Sequence, residues 1–127
     1  MINTIAAIAA GGAIGALMRH SVNVAAVKLM GHGFPYGTLT VNIVGSFLMG
    51  ALVILFASVW QPSETLRVLI ITGFLGAFTT FSTFSLDFVT LFERQDYLAS
   101  GLYVAASVVL SIAALFGGMA ITRVLVS

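Results

Sequence analysis

Four long apolar stretches, separated by short polar connectors, decide what this chain can fold into. Crossing roughly 30 Å of hydrocarbon takes about 20 helical residues. The first stretch runs from Ile2 to about Met30 and is interrupted by Arg19, His20 and Lys28. The second, Tyr36 to Trp60, holds no formal charge. The third, Leu66 to Phe92, carries a polar centre and Asp87, and the fourth, Tyr97 to Thr122, is again uncharged. Strands are disfavoured, because the runs are too long and continuous for the alternating segments of a barrel. The sequence therefore predicts an all-α membrane protein, with four transmembrane helices in one domain covering residues 1–127. The connectors Gly31–Pro35, Gln61–Glu64 and Glu93–Asp96 hold glycine, proline or charge. Ser63 is placed to cap the third helix, with Glu64 near its positive end.

Composition closes off the alternatives. Only 7% of residues are charged and 60% are hydrophobic, whereas a water-facing domain carries about 25% charged residues. With no cysteine, disulfides and thiolate metal sites are excluded. His20 and His32 are too few and too scattered for a metal centre, and a net charge of +1 gives no case for nucleic acid. No nucleotide-binding motif or catalytic triad is present, so the chain is not expected to be an enzyme. The apolar N-terminus lacks a basic leader and runs on into further apolar sequence, so no cleaved signal peptide is expected.

Lysine and arginine counts orient membrane helices, and here they nearly balance. Arg67 and Arg123 fall on one side, and Lys28 and Arg94 on the other, with Arg19 nearer the membrane. So small a bias leaves two readings open: insertion in both directions, which permits an antiparallel homodimer, or one weak preference that prevails. Four helices alone rarely enclose a pathway, so dimerisation is expected in either case. Gly11 with Gly15, Ser46 with Gly50, and Ala114 with Gly118 form small-residue faces that let helix backbones approach.

Polarity inside lipid is expensive and marks function. Thr38, Asn42 and Ser46 recur every four residues and share one face of the second helix. Tyr103, Ser107 and Ser111 do the same on the fourth, and Ser100 extends that line. A single membrane Ser or Thr usually bonds back to its own helix. Asn42 is different, since a mid-helix amide is costly without a partner. Cation pathways favour carboxylates, and Asp87 is the only candidate. Hydroxyl and amide donors instead suit an anion, whose hydration shell they can replace. Phe81 and Phe84 share a face of the third helix, where their electropositive ring edges could hold an anion; the alternative is two phenylalanines that only pack. Gly73, Gly76 and the Thr79–Thr80 pair threaten helix continuity mid-span. A break there would free backbone carbonyls suited to a small hard cation such as sodium, against the default of an unbroken helix with packing glycines.

Three motifs, in order along the chain, resemble the Fluc/CrcB family of fluoride channels over essentially its whole length. They are Gly11-Gly-Ala-Ile-Gly-Ala-Leu-Met-Arg19, Gly37-Thr-Leu-Thr-Val-Asn42 with Gly45, and Gly73-Phe-Leu-Gly-Ala-Phe-Thr-Thr-Phe-Ser-Thr-Phe-Ser85. The resemblance implies an antiparallel dual-topology homodimer with two pores, which passively exports fluoride across the prokaryotic plasma membrane. It implies a third helix broken mid-membrane. Phe81 and Phe84 resemble the paired pore phenylalanines, and Asn42 the pore-facing asparagine. Thr38, Tyr103, Ser107 and Ser111 resemble the polar track. Gly76 and Thr79 occupy the positions whose carbonyls hold a structural, non-transported sodium ion at the dimer centre. Arg19 matches the family arginine of the first helix. Asp87 stands where close relatives often carry Glu, with shorter reach, and Ala77 stands where they often carry Gly.

Two rival readings remain. A small multidrug exporter is also a four-helix dual-topology dimer, but it relies on a glutamate in the first span, which here has no carboxylate. A membrane scaffold would use every polar line only as helix glue.

Overall fold

The computed structural model describes residues 1–127, and all of its regular structure is helical. Helix α1 spans Ile2–Met30 and α2 spans Tyr36–Ser58. The third crossing begins as α3 (Glu64–Val68), widens into π-helical turns over Leu69–Leu75, and narrows again as α4 (Gly76–Phe78). It resumes as α5 (Ser82–Glu93), and α6 spans Tyr97–Val126. Four helical runs, Ile2–Met30, Tyr36–Ser58, Glu64–Glu93 and Tyr97–Val126, are long and apolar enough to cross a membrane. At 1.5 Å rise per residue, even the shortest, of 23 residues, reaches about 34 Å.

Local chemistry sets the ends. Gly31 closes α1 with φ of 79°, a left-handed conformation that glycine adopts without Cβ strain, and its N–H bonds to the Val27 carbonyl at 2.8 Å. Pro35 precedes α2, where its fixed φ suits a helix entry. Ser63 caps α3 by accepting the Leu66 N–H at 3.3 Å. The second helix stops at Ser58 rather than Trp60. The last runs on to Val126, because the single charge of Arg123 does not halt a helix whose neighbours are apolar.

The burial pattern is that of a lipid-facing molecule. Only 18 of 127 residues are buried, and large apolar side chains such as Leu17, Leu102, Val109 and Phe116 are more than half exposed. In water each such side chain would forgo about 1.5–3 kcal/mol of burial; in hydrocarbon they forgo nothing.

The small-residue faces are consumed inside the protomer. Helices α2 and α6 pack so closely that a methyl group at Gly50 would overlap the Leu115 carbonyl, and one at Gly118 would overlap that of Phe47. On the other side, Gly11 and Gly15 of α1 lie against the backbone at Leu69 and Phe74 of the third crossing. Two tight helix pairs result, α1 with the third crossing and α2 with α6, and they meet less extensively. The polar residues gather along the seam between these pairs.

Candidate functional site

The site is organised around a stretch where the backbone leaves helical geometry. Thr79 is extended, with φ −88° and ψ 160°, and α5 does not begin until Ser82. Each freed group then needs a partner, because none comes from lipid. The Leu75 carbonyl accepts both the Thr79 N–H at 3.1 Å and its hydroxyl at 2.9 Å. Thr80 Oγ1 accepts the Thr83 N–H at 3.2 Å and so caps α5. Asn42 of α2 pairs with Thr80 reciprocally: its Oδ1 accepts the Thr80 N–H at 2.9 Å, and its Nδ2 donates to the Thr80 carbonyl at 3.0 Å. In a continuous helix the Thr80 N–H would bond the Gly76 carbonyl, so its diversion to Asn42 releases that oxygen. The Thr79 carbonyl accepts no hydrogen bond from the chain.

A cleft of about 410 Å³ opens beside this stretch. Asn42, Ser46, Thr79, Thr80, Phe81, Phe84, Ser107 and Ser111 line it, with an apolar remainder that includes Met49 and Leu115. The Phe81 and Phe84 rings lie 5.5 Å apart and are tilted by 47°. Phe81 is 79% exposed on the outer face of the protomer, so the cleft is open on that side. Ser107 and Ser111 decide how the polar line on α6 is read. Ser21, Ser58, Ser85 and Thr90 each bond back to the carbonyl four residues earlier, as membrane hydroxyls usually do. The Ser107 and Ser111 hydroxyls are buried and have no partner. A buried donor left unpaired costs about 1–3 kcal/mol, a standing incentive to take a hydrogen-bond acceptor.

The remaining sequence-singled residues lie elsewhere. Thr38 and Asp87 line a second cavity of about 280 Å³, near the Gly31–Pro35 connector, together with Asn23, His32 and Arg94. Tyr103 is fully buried, packs against Phe84 with the rings 5.2 Å apart and tilted by 45°, and donates its hydroxyl to Asp87 Oδ2 at 3.0 Å. Tyr103 thus joins the two cavities through its neighbours, while its own proton is directed at the carboxylate. Asp87, for all its short reach, does contact α6. Gly76 is exposed and outside the cleft. Arg19 is half-buried on the α1 side, where its Nε donates to the Ala77 carbonyl at 2.9 Å. Sequence reasoning missed both backbone clamps. The cost of a mid-helix amide pointed to Asn42 having a partner, but nothing named Thr80.

These features define a class: a four-span membrane protein with a neutral, donor-rich and aromatic-walled cleft beside the extended backbone at Thr79. Residues 6–119 match the family model described as CrcB-like protein, Camphor Resistance (CrcB), and the chain belongs to that family. It is 55% identical over 119 residues to the fluoride-specific ion channel FluC of Rhizobium etli, covering 94% of this chain and 95% of that protein. It is similar to the protein of the same name from Agrobacterium fabrum, 54% identical over 123 residues, covering 97% and 98% of the two chains. The Caulobacter vibrioides protein of that name is 48% identical over 123 residues, covering 96% of this chain and 97% of its own. The family is one of ion channels, not of enzymes.

Proposed function

We propose that the protein is a fluoride channel that passively lowers cytoplasmic fluoride in a prokaryote. The carrying observation is the pair of buried, unpartnered hydroxyls of Ser107 and Ser111, residues that line one cleft together with the Phe81–Phe84 pair. A small anion entering there exchanges water for hydroxyl donors and electropositive ring edges. No fixed cation lines the cleft to trap it. Chloride is larger and a weaker acceptor, and it recovers less of its hydration from the same groups. Hydrogen fluoride enters cells as the neutral acid and dissociates at cytoplasmic pH, so the anion accumulates inside. A negative-inside potential then drives it out at about 2.3 kcal/mol per 100 mV, roughly a fiftyfold concentration ratio. No coupled energy source is required.

The working unit is an antiparallel dual-topology homodimer with two pores, in the plasma membrane. Its support is the near-even distribution of Lys28, Arg94, Arg67 and Arg123, and the open side of the cleft at Phe81. Gly76 and Thr79 fit a structural sodium ion through their carbonyls, one released by Asn42 and the other without a donor. Bound there, sodium would neutralise the oxygens of the interruption and tie them together. Gly76 offers a clean separation of protomer from assembly. A Cβ there meets only the Ile71 carbonyl, at an ordinary 3.7 Å. The first atom of a side chain at Gly76 is therefore accommodated within the protomer, and Gly76→Val, with folded yield measured alongside, tests the exposed face.

The deciding experiment is fluoride efflux from proteoliposomes with sodium present and then replaced by a bulky organic cation. Fast, uncoupled, sodium-dependent efflux is expected. It should be lost in Gly76→Val and largely kept in Thr79→Ala, which retains the backbone carbonyl. Folded protein that leaves a fluoride gradient intact refutes the channel reading, and proton-coupled exchange of organic cations would select the exporter instead.

A further inference from the structure

Arg19 is the charged side chain hydrogen-bonded to the interrupted segment, and its Nε makes the bond. Its Nε, rather than the forked terminal nitrogens, donates to the Ala77 carbonyl at 2.9 Å. In a continuous helix that oxygen would accept the Phe81 N–H, but no such bond forms here. The short reach follows from packing. One turn earlier, Gly15 brings the α1 backbone against Phe74 and Phe78 so closely that a methyl group would overlap. The guanidinium stem is thereby delivered to the end of α4. The charge also lies at a helical C-terminus, where the backbone dipole is negative.

We infer that Arg19 is a positioning residue. Its Nε–H replaces the helical partner of Ala77, so that Phe81 can leave the helix and turn its ring toward the cleft. Asn42 holds Thr80 from the α2 side, Arg19 holds Ala77 from the α1 side, and Phe81 follows directly. The link to conduction rests on the channel reading above; the link to the backbone does not. Of the carbonyls at the interruption, Ala77 is the one tied to a side chain of α1, which keeps it apart from the released oxygens of Gly76 and Thr79.

Side-chain chemistry separates the hydrogen bond from the charge. Glutamine places its amide nitrogen as many bonds from Cα as arginine places Nε, so Arg19→Gln keeps a donor and removes the charge. Arg19→Met has the same length and no donor. Arg19→Lys keeps the charge on a longer arm, as a point donor without the planar fork. Efflux per folded protein is expected to stay within roughly threefold of wild type in Arg19→Gln and to fall by at least roughly tenfold in Arg19→Met, the scale of a lost buried hydrogen bond. Equal efflux in the two variants, or Arg19→Lys outperforming Arg19→Gln, overturns the inference in favour of charge or of no role. Should Arg19→Met not fold, the Gln-against-Lys order alone decides. Amide exchange of the peptide covering Gly76 to Ser82 is measured on the same samples. It is expected to be wild-type in Arg19→Gln and faster in Arg19→Lys or Arg19→Met, and the reverse order counts against the latch. If wild-type protein carries no fluoride at all, the channel reading fails, and exchange alone judges the latch.

Discussion

Replacing Asn42 with leucine removes two hydrogen bonds while keeping the branched shape at a somewhat larger volume, and its first effect falls on the Thr80 backbone. The Thr80 N–H and carbonyl, bonded to the amide at 2.9 and 3.0 Å, both lose their partner. No water from the lipid side can replace it. An unsatisfied buried polar group costs about 1–3 kcal/mol; with both bonds only part-buried beside the cleft, the pair together costs about 2 kcal/mol. That shifts the local conformational equilibrium by roughly thirtyfold. The cheapest escape is for the Thr80 N–H to return to the Gly76 carbonyl and rebuild the helix. Such a return draws Phe81 out of the cleft and reclaims an oxygen proposed for sodium. Asn42→Leu is therefore expected to fold, to lose fluoride efflux in proteoliposomes by at least roughly tenfold, and to lose its sodium dependence with it. Asn42→Asp keeps the acceptor for Thr80 N–H, so amide exchange at that site should stay slow while the added charge reduces efflux. Wild-type efflux and unchanged exchange in Asn42→Leu would refute the view that this amide holds the interruption open.

Other perturbations test separate parts of the molecule. Phe81→Ile and Phe84→Ile should each slow efflux, by roughly fivefold if a ring edge contributes about 1 kcal/mol, with folded yield unchanged; wild-type rates in both would remove the aromatic role. Gly118→Val drives a side chain into the Phe47 carbonyl and should cost about 1–3 kcal/mol or more by overpacking, seen as loss of folded protein and a lower unfolding temperature. Tyr103→Phe deletes the donor to Asp87 and should lower the unfolding temperature while the Ser107 and Ser111 hydroxyls remain. An unchanged temperature would mean that the carboxylate finds another partner.

The helical runs were legible because lipid imposes a length and an apolarity that few sequences meet by accident. Gly50 and Gly118, like Gly11 and Gly15, could be read as close-approach positions, but not assigned partners. A glycine announces that backbone is near without saying whose, and here the answer lay within the same protomer. Residues of one polar line proved to divide between two cavities, since Thr38 and Asn42 share a helix face but lie on either side of Tyr103 and its neighbours. The Arg19–Ala77 bond was illegible for a simpler reason. Its acceptor is a main-chain oxygen 58 residues away, and every residue type carries that group. The unpaired state of Ser107 and Ser111 was beyond the sequence too, because identical hydroxyls at Ser58 and Ser85 satisfy themselves locally.

The wide turns over Leu69–Leu75 govern azimuth as well as shape. Each residue of an ordinary helix advances the direction of its side chain by about 100°, and a π segment resets that phase for everything downstream. Deleting a single residue there would leave the span long and apolar enough to cross the bilayer. Because a wide turn is what absorbs one extra residue, the deletion would let the span rewind as an ordinary helix, and the disturbance would fall on the contacts that Gly11 and Gly15 make with Leu69 and Phe74. A chain altered in this way would still be long and apolar enough to insert, but its first and third crossings would have to find a new fit.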